Sequence, residues 1–273
     1  MNIEQAIEIV SKTDSGKVRS HNEDSLSHNI SCGLAVLADG MGGYNSGEIA
    51  SGIAVSVISD EVKHHQSRLY RKNRVQSEDP GAVLLRESLQ KANTEIYNAS
   101  RSQIQYSGMG TTVVSTLFYD NRVAVAHVGD SRLYRLRSDT FENITHDHSL
   151  LQEQIDAGLI SKEEARLSGI KNWITRAIGI ENQVEVETHI YPVIIGDIYL
   201  LCSDGLNDMI DDTEISSVLL KMRNNLPIAA EQLIQMANNN GGYDNISVIL
   251  AKINADFAAP VSYLAKLWML LKR

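Results

Sequence analysis

Acidic residues follow apolar, strand-like runs at several places in this 273-residue chain. The stretch LLCSDGLND (residues 200–208) passes from an apolar run into a carboxylate, a glycine and, four residues later, a second carboxylate. The stretches VLADGMGG (36–43) and HVGDSR (127–132) repeat this pattern. Burying a carboxylate is costly unless a counter-charge accompanies it. The fold must therefore bring positive charge to these strand ends, and we predict a metal site.

The kind of metal follows from the ligand types. Aspartate and glycine are common turn formers, so each acidic stretch alone also has a structural explanation. Taken together, oxygen ligands suit Mg²⁺ or Mn²⁺, and a glycine beside an aspartate lets a backbone carbonyl approach as a further ligand. Histidine and cysteine do not cluster in the sequence, so we do not expect zinc. The five acidic stretches are RSHNED (19–24), DGMGG (39–43), GDSR (129–132), SDGLND (203–208) and YDNIS (243–247).

Charge and composition exclude several classes of protein. The formal net charge of -9 disfavours a nucleic-acid binder, which needs a basic face. The first residues show no features of a secretion leader, and no run reaches the roughly 20 apolar residues that cross a bilayer. Cys32 and Cys202 lie in apolar segments, which suits buried thiols in a reducing compartment. We expect a cytoplasmic protein without membrane association, folded as one domain.

Hydrophobic periodicity predicts an α+β fold. Helical spacing covers residues 46–62, with Asn45 and Glu48 as a capping box, and a second helix begins with Asp79 as N-cap and Pro80. Later helices begin near Asp212 and Pro227, and the last ends near Gly241. Because strands outnumber helices between residues 108 and 205, antiparallel sheets covered by helices are favoured. Period-two strands are predicted at 33–39, 111–118, 122–137, 197–203 and 244–253.

The ordered set of motifs closely resembles the metal-dependent protein phosphatases of the 2C type, particularly their compact bacterial members. In addition to the stretches above, the matches are GMGTTVV (108–114), ITHDHSLL (144–151) and ITRAIG (174–179). They appear in family order from residue 19 to about residue 253 and cover most of the chain. A single DGMGG is moderately specific, whereas the ordered set is highly specific.

The resemblance implies a four-layer αββα sandwich, with two antiparallel β-sheets flanked by helix pairs and a cluster of Mn²⁺ or Mg²⁺ ions between the sheets. Two ions are expected, and bacterial relatives often show a third. Asp39 would bridge the first two ions, Asp24 would support the site, and Asp130, Asp204 and Asp208 match the ligands of the third ion. The remaining ligands implied for the first two ions are Glu23, the carbonyl of Gly40, Asp204 and Asp244.

The implied activity is hydrolysis of phosphoserine and phosphothreonine on proteins by a metal-bridged water, in opposition to a bacterial Ser/Thr kinase. Cations would offset the repulsion between the acidic cleft and the phosphate. Asp39 and Asp204 are the expected catalytic aspartates. Arg19 would clamp phosphate oxygens with its planar fork, although it could instead form an ion pair with Glu23.

The residue after the Asp-Gly pair departs from many eukaryotic relatives. They carry a histidine, proposed as the acid for the leaving oxygen, where this chain has Met41. Methionine cannot donate a proton. A metal-bound water is the preferred substitute, with His21 and His148 as weaker candidates because a lone histidine is more often structural.

Other phosphatase classes fit less well. A cysteine phosphatase needs arginine six residues after its cysteine, where Cys202 is followed by Asp208. An aspartyl-phosphate enzyme needs Asp-x-Asp, which Asp39 does not begin. The glycine-rich stretch lacks the spacing and lysine of nucleotide-binding loops. The alternative that stays open is a catalytically impaired relative that binds phosphopeptides.

Two segments within the expected catalytic domain of residues 1–255, and one that follows it, have other possible roles. The insertion at 149–172, with Gly158 and Gly169, could form a mobile flap or a plain surface excursion. The basic residues in 63–74 suit a solvated loop or a dock for an acidic protein. Residues 256–273 form a predicted amphipathic helical extension, which could pack on the domain or a second subunit, fill a partner's groove or lie on a membrane surface.

Overall fold

The computed structural model describes residues 3–43, 46–70, 78–161, 164–165 and 173–259. Within these ranges eleven strands form two sheets in which every strand pair runs antiparallel. The strands are β1 Ile7–Asp14, β2 Asp24–Asn29, β3 Leu34–Met41, β4 Gly110–Thr111, β5 Val113–Tyr119, β6 Arg122–Val128, β7 Arg132–Arg137, β8 Thr140–Asn143, β9 Glu187–Pro192, β10 Ile198–Cys202 and β11 Ile246–Ile253.

Helices cover the outer faces of both sheets. None of the helices in the described ranges is both long and apolar enough to cross a membrane. The α-helices are α1 Ile3–Ala6, α2 Ser46–His65, α3 Pro80–Ser102, α4 Leu150–Asp156, α5 Asp204–Asn207, α6 Asp212–Met222 and α7 Leu226–Asn239.

The sheets and helices form four layers, which confirms the predicted αββα sandwich. One sheet has the order β1-β11-β10-β7-β8, and the other has the order β2-β3-β5-β6-β9 with β4 paired to β3. Apolar side chains fill the space between the sheets, among them Leu37, Phe118 and Leu201. A second core lies between the β3 sheet and α2 and α3, and a third lies between the β10 sheet and α6 and α7.

Local capping explains where several helices begin. Asp79 accepts hydrogen bonds from the N–H groups of Gly81 and Ala82 at 2.8 and 3.3 Å, and Pro80 occupies the first turn, as predicted. Asp211 and Glu214 form a capping box at the start of α6. The helices predicted near Asp212 and Pro227 are thus present, and α7 ends two residues before Gly241.

The single strand predicted over residues 122–137 is wrong, because this stretch forms β6 and β7 in different sheets. Gly129 between them has a φ of 107°, a left-handed value that other residues adopt only with strain. A Cβ at Gly129 would also lie 2.6 Å from the Thr112 side chain. The chain therefore crosses from one sheet to the other at residues 129–131. The prediction also missed β1, β2, β8 and β9, because polar residues blur their alternation.

Some predictions fall on residues outside the described ranges. These residues are Asn45 of the expected capping box, 71–74 of the basic segment, Gly169 of the insertion and 260–273 of the tail. Within the insertion, α4 is helical as expected, and Gly158 follows it with a φ of 68°.

One buried ion pair connects the two sheets. Asp197, which is 1% exposed, accepts hydrogen bonds from Arg137 Nε at 2.9 Å and from Nη2 at 2.7 Å. The same Nη2 donates to the carbonyl of Pro192 at 2.9 Å, and Asp197 also accepts from the N–H of Ile194. Arg137 thus links the end of β7 to the end of β9.

Asp197→Ala should lower the free energy of unfolding by about 3 kcal/mol, because it removes the counter-charge of Arg137 and the acceptor of its Nε and of a backbone N–H. Urea unfolding measures this loss. Asp139→Ala, at an exposed position two residues after Arg137, is the matched control and should change stability by less than about 0.5 kcal/mol. Equal unfolding midpoints for Asp197→Ala and the parent protein would contradict the prediction.

Candidate metal centre

Strand pairing in the β3 sheet brings two of the predicted acidic residues together. Asp24 begins β2 and lies directly opposite Asp39 near the end of β3. Glu23 precedes Asp24, and its carbonyl accepts from the N–H of Gly40 at 3.1 Å. The Glu23–Asp24 and Asp39–Gly40 pairs therefore share one end of this sheet.

The other sheet supplies the remaining acids at its own facing end. Cys202, the last residue of β10, is paired with the first residue of β7 and with a residue near the start of β11. The turns beyond these three strand ends therefore emerge side by side, and they carry Asp130, Asp204 and Asp244. Asp208 lies one turn later, at the C-cap of α5, with its N–H donating to the carbonyl of Asp204 at 2.8 Å.

The two groups of acids face each other closely enough to alter one another's pKa. Burial raises the pKa of Asp39 well above its ordinary value, and the charges of Asp24 and Asp204 raise it further. Burial likewise raises the pKa of Asp204, with added repulsion from Asp130 and Asp208. These shifts arise across the space between the sheets, so the carboxylates form one cluster.

Three carboxylate oxygens in the cluster are buried without a hydrogen-bond partner among the described residues: Oδ1 of Asp24, of Asp130 and of Asp204. Burial raises the pKa of Asp24 to about 6, although hydrogen bonds from Ser247 and Ser203 lower it. Burial and the charge of Asp147 raise the pKa of Asp130 to about 7. A native fold rarely leaves such oxygens unsatisfied. Oxygen atoms of this kind fit hard divalent cations.

Close backbone packing places Glu23 and Gly40 at the same site. A Cβ on Gly40 would lie 2.1 Å from the carbonyl oxygen of Gly47, and one on Gly47 would lie 2.6 Å from Oε1 of Glu23. Burial raises the pKa of Glu23, while Arg19 and the N–H of Gly47 lower it. Gly40 of the DGMGG motif and Gly47 at the start of α2 therefore let the chain pass close to Glu23.

Arg19 lies at the exposed edge of the cluster. Its Nη2 donates to Asp244 Oδ2 at 2.8 Å, and its side chain is 51% exposed. The structure thus pairs Arg19 with Asp244, whereas the ion pair considered from the sequence was with Glu23. Burial lowers the pKa of Arg19, but the carboxylate of Asp244 outweighs this effect and raises it.

Neutral side chains that the sequence analysis did not single out hold the acids in place. Asn245 Oδ1 accepts from the N–H of Glu23 at 2.8 Å, and its Nδ2 donates to the carbonyls of Ser15 and His21. Ser203 Oγ donates to Asp24 Oδ2 at 2.9 Å. Both residues adjoin a predicted metal ligand and are almost fully buried, and a buried polar residue needs partners.

Thr112 connects the two sides of the cluster. Its N–H donates to the Asp39 carbonyl at 2.9 Å, and its Oγ1 accepts from the N–H of Asp39 at 3.2 Å. The same hydroxyl lies 2.7 Å from Ser131 Oγ, beside Asp130. Thr112 therefore joins the end of β3 to the crossing turn between β6 and β7.

The expectation that histidines do not cluster is wrong. His127, His148 and Glu187 place ligand-type atoms within 4.8 Å of one another, because β6 pairs with β9 and the segment after β8 folds back beside them. The spacing in sequence hides this contact. Each histidine has a ring nitrogen with a hydrogen-bond partner. His148 Nδ1 accepts from the N–H of Gly129 at 3.1 Å, and His127 Nε2 lies 2.9 Å from the carbonyl of His146.

A cavity of about 510 Å³ adjoins the cluster. Asp130, Asp204 and Asp208 line one side, and Gln152 and Ile155 of α4 line another. The insertion that begins at residue 149 therefore borders the side of the cluster that carries the expected ligands of the third ion.

The chain is similar to known phosphatases over most of its length. A profile of the family described as Protein phosphatase 2C matches residues 15–238. A serine/threonine phosphatase from Listeria welshimeri, named stp, is 38% identical over 246 residues, which are 89% of this chain and 94% of that protein.

Solved structures show the same likeness. The serine/threonine phosphatase PstP/Ppp of Mycobacterium tuberculosis has a TM-score of 0.80 and 32% identity, covering 92% of this chain and 100% of that chain. The catalytic domain of PstP in complex with 2 manganese ions has a TM-score of 0.79 and 32% identity, covering 92% of this chain and 99% of that chain.

The metal-free protein should lose stability as the pH rises from about 4 to about 7. The folded pKa values of Asp24 and Asp130, about 6 and about 7, exceed the ordinary 3.8, so the folded state binds more protons than the unfolded state in this window. Deprotonation then costs stability, and Mn²⁺ should restore it. Urea unfolding at pH 5 and pH 8, with chelator or with Mn²⁺, measures both effects.

Asp130→Asn provides the internal comparison for this pH dependence. With chelator at pH 8 the variant should be more stable than the parent by a few kcal/mol, and it should gain less from Mn²⁺. A chelated variant that is no more stable than the parent would show that repulsion and burial at Asp130 do not limit stability.

Proposed function

Because the chain belongs to the protein phosphatase 2C family, we propose that it removes phosphate from phosphoserine and phosphothreonine on proteins, using Mn²⁺ or Mg²⁺. One observation carries the proposal: buried carboxylate oxygens from both sheets converge and lack partners within the described chain. Relatives named as serine/threonine phosphatases support the substrate class. The manganese complex of PstP supports the choice of cofactor.

The donor set fits hard divalent ions, since it offers oxygen atoms alone at the base of the cleft. Asp39, whose carboxylate is repelled by acids of both sheets, would contact two ions. Glu23 and the carbonyl of Gly40 would complete one site, and Asp204 and Asp244 would complete the other. Asp130, Asp204 and Asp208 would hold a third ion. When bound, such ions offset the acidic charge, polarise the phosphate and lower the pKa of water.

The chain's own groups orient the substrate and the ligands. Arg19 stands beside Asp244 at the exposed edge, where its guanidinium would donate two parallel hydrogen bonds to phosphate oxygens. Asp24 is held by Ser203 and adjoins Asp39, so it would set the position of the ligands. His148 does not suit the role of proton donor, because both ring nitrogens have partners outside the acidic cluster.

The alternative of a phosphopeptide-binding relative without activity finds no support. The similar proteins are named phosphatases, and every acidic residue that the family resemblance assigns to the metals is present. We therefore keep hydrolysis as the single function.

The proposal also covers the kinase, the cellular location and the domain bounds. Phosphoprotein substrates imply a protein kinase whose action this enzyme opposes. Two free, buried cysteines accord with a cytoplasmic location. We place the catalytic domain at residues 1–255, with the flap at 149–172 and an extension from 256 onward. Phe257, at the start of that extension, is 5% exposed and packs in the core between the sheets.

Asp39→Asn and Asp204→Asn should each lower kcat on a phosphothreonine peptide by about 100-fold or more, because each removes a charge that holds cations at the reacting phosphate. Chelator should abolish turnover by the parent, and Mn²⁺ should restore it. The same substitution at exposed Asp139 serves as the control and should leave kcat unchanged. Parental turnover in either cluster variant, with binding of the peptide intact, would refute the proposal.

Arg19→Lys should raise KM for the phosphopeptide about tenfold, with a smaller effect on kcat, because lysine keeps the charge but loses the planar fork. Steady-state kinetics at saturating Mn²⁺ separates the two constants. Arg68→Lys, which alters an exposed arginine paired with Glu87, is the matched control. If Arg19→Lys and Arg68→Lys give the same KM, Arg19 does not bind phosphate.

A further inference from the structure

His148 holds both backbone groups of Gly129. The N–H of Gly129 donates to His148 Nδ1 at 3.1 Å, and the N–H of His148 donates to the carbonyl of Gly129 at 3.0 Å. The His148 ring is buried, at 7% exposure. One residue from the segment after β8 thus clamps the turn between β6 and β7.

Hydrogen bonding also decides which ring nitrogen of His148 carries the proton. A backbone N–H can only donate, so Nδ1 accepts and the neutral ring has its proton on Nε2. From Nε2 it can donate to Glu187 Oε2 at 3.3 Å, while Glu187 Oε1 lies 2.6 Å from His189 Nε2. Burial and the charge of Arg176 lower the pKa of His148, which favours this neutral form.

His127 fixes the ring from its other side. The two imidazoles stack with centroids 4.9 Å apart and planes inclined by 15°. Burial lowers the pKa of His127 to about 4, so the stacked ring is neutral near pH 7 and does not repel His148 by charge. The His148 ring is therefore held by Gly129, by Glu187 and by stacking.

Asp130 directly follows Gly129, the residue that His148 holds. Its carboxylate is buried, and Oδ1 has no partner among the described residues, so side-chain bonds to that oxygen do not set its position. The turn that carries it is held by His148 at Gly129 and by Thr112 at Ser131. Loosening the Gly129 side would let Asp130 shift relative to Asp204 and Asp208.

The same residue meets the base of the insertion. The carbonyl of His148 accepts from the N–H of Thr175 at 2.9 Å, and the next residue, Ser149, forms an antiparallel bridge with Ile174. His148 is thus held by Thr175, which follows the 149–172 segment, as well as by the β6–β9 pair.

We propose that His148 is a positioning residue that acts through Gly129 to hold Asp130 in place as a ligand for the third divalent ion. This proposal rests on the metal centre of the proposed function. His148 contacts neither the substrate nor the ion in this role. Partners of metal ligands that lie one step away from the ion commonly contribute tenfold or more to metal affinity.

The test measures Mn²⁺ binding directly, from the electron paramagnetic resonance signal of the free ion, in the full-length protein. His148→Leu should weaken the weakest Mn²⁺ site by about tenfold, because the buried N–H of Gly129 loses its acceptor. His148→Asn should recover most of that affinity, since its side-chain carbonyl can accept near the place of Nδ1.

A double-mutant cycle separates this role from general support of the fold. In an Asp130→Asn background, His148→Leu should cause no further loss of Mn²⁺ affinity, because the residue through which it acts is already changed. His146→Leu is the matched control: it alters an exposed histidine two residues away that pairs with Asp156, and Mn²⁺ affinity should stay at the parental value.

Three results would overturn the proposal: parental Mn²⁺ affinity in His148→Leu, equal affinities for the Leu and Asn variants, or additive losses in the double mutant. If His148→Leu does not fold, the comparison moves to His148→Asn and His148→Gln, where only asparagine should keep the acceptor for Gly129. Phosphopeptide turnover is measured in parallel. A parent that binds Mn²⁺ but does not hydrolyse the peptide would refute the proposed function and leave the role of His148 to the binding data.

Discussion

Repulsion among buried carboxylates is the constraint on which the rest of the structure depends. Asp39 and Asp204 come from different sheets, and burial raises the pKa of each, with a further increase from carboxylates across the cleft. Isolated charges in such a place would be very costly. Divalent ions remove the cost and turn the cluster into a site that attracts phosphate. The acids therefore keep a metal-free fold below its attainable stability, in exchange for a binding site.

The scaffold around the cluster holds the acids without neutralising them. Thr112, Ser203 and Asn245 are uncharged and bind the backbone or a carboxylate of the acidic segments. They fix positions, but they leave the negative charge for cations. Burial raises the pKa of Asp130 and outweighs the charge of Arg132, which lowers it. The Arg132 guanidinium itself donates three hydrogen bonds of 2.6–3.0 Å to Asp147.

The two sheets hold their acids in different ways. Asp24 and Asp39 lie within paired strands, where the register fixes them. Asp130 lies in a crossing turn between sheets, where Gly129 adopts a left-handed conformation and depends on contacts from elsewhere. His148 supplies such contacts to Gly129, and its carbonyl also accepts from the N–H of Thr175 beyond the insertion. The cavity beside α4 lies at the same junction.

The sequence by itself determined the ligand chemistry and several helices. Carboxylates beside glycines specify hard ions, and capping residues such as Asp79 and Pro80 act over a few neighbours, so both can be recognised locally. Resemblance to a family supplied the layer order and the grouping of acids, which alternation alone does not give. Tertiary structure decided the strand register, the crossing at Gly129 and the meeting of His127, His148 and Glu187. These features depend on pairing between segments distant along the chain, and the energy of that pairing has no signature in local periodicity.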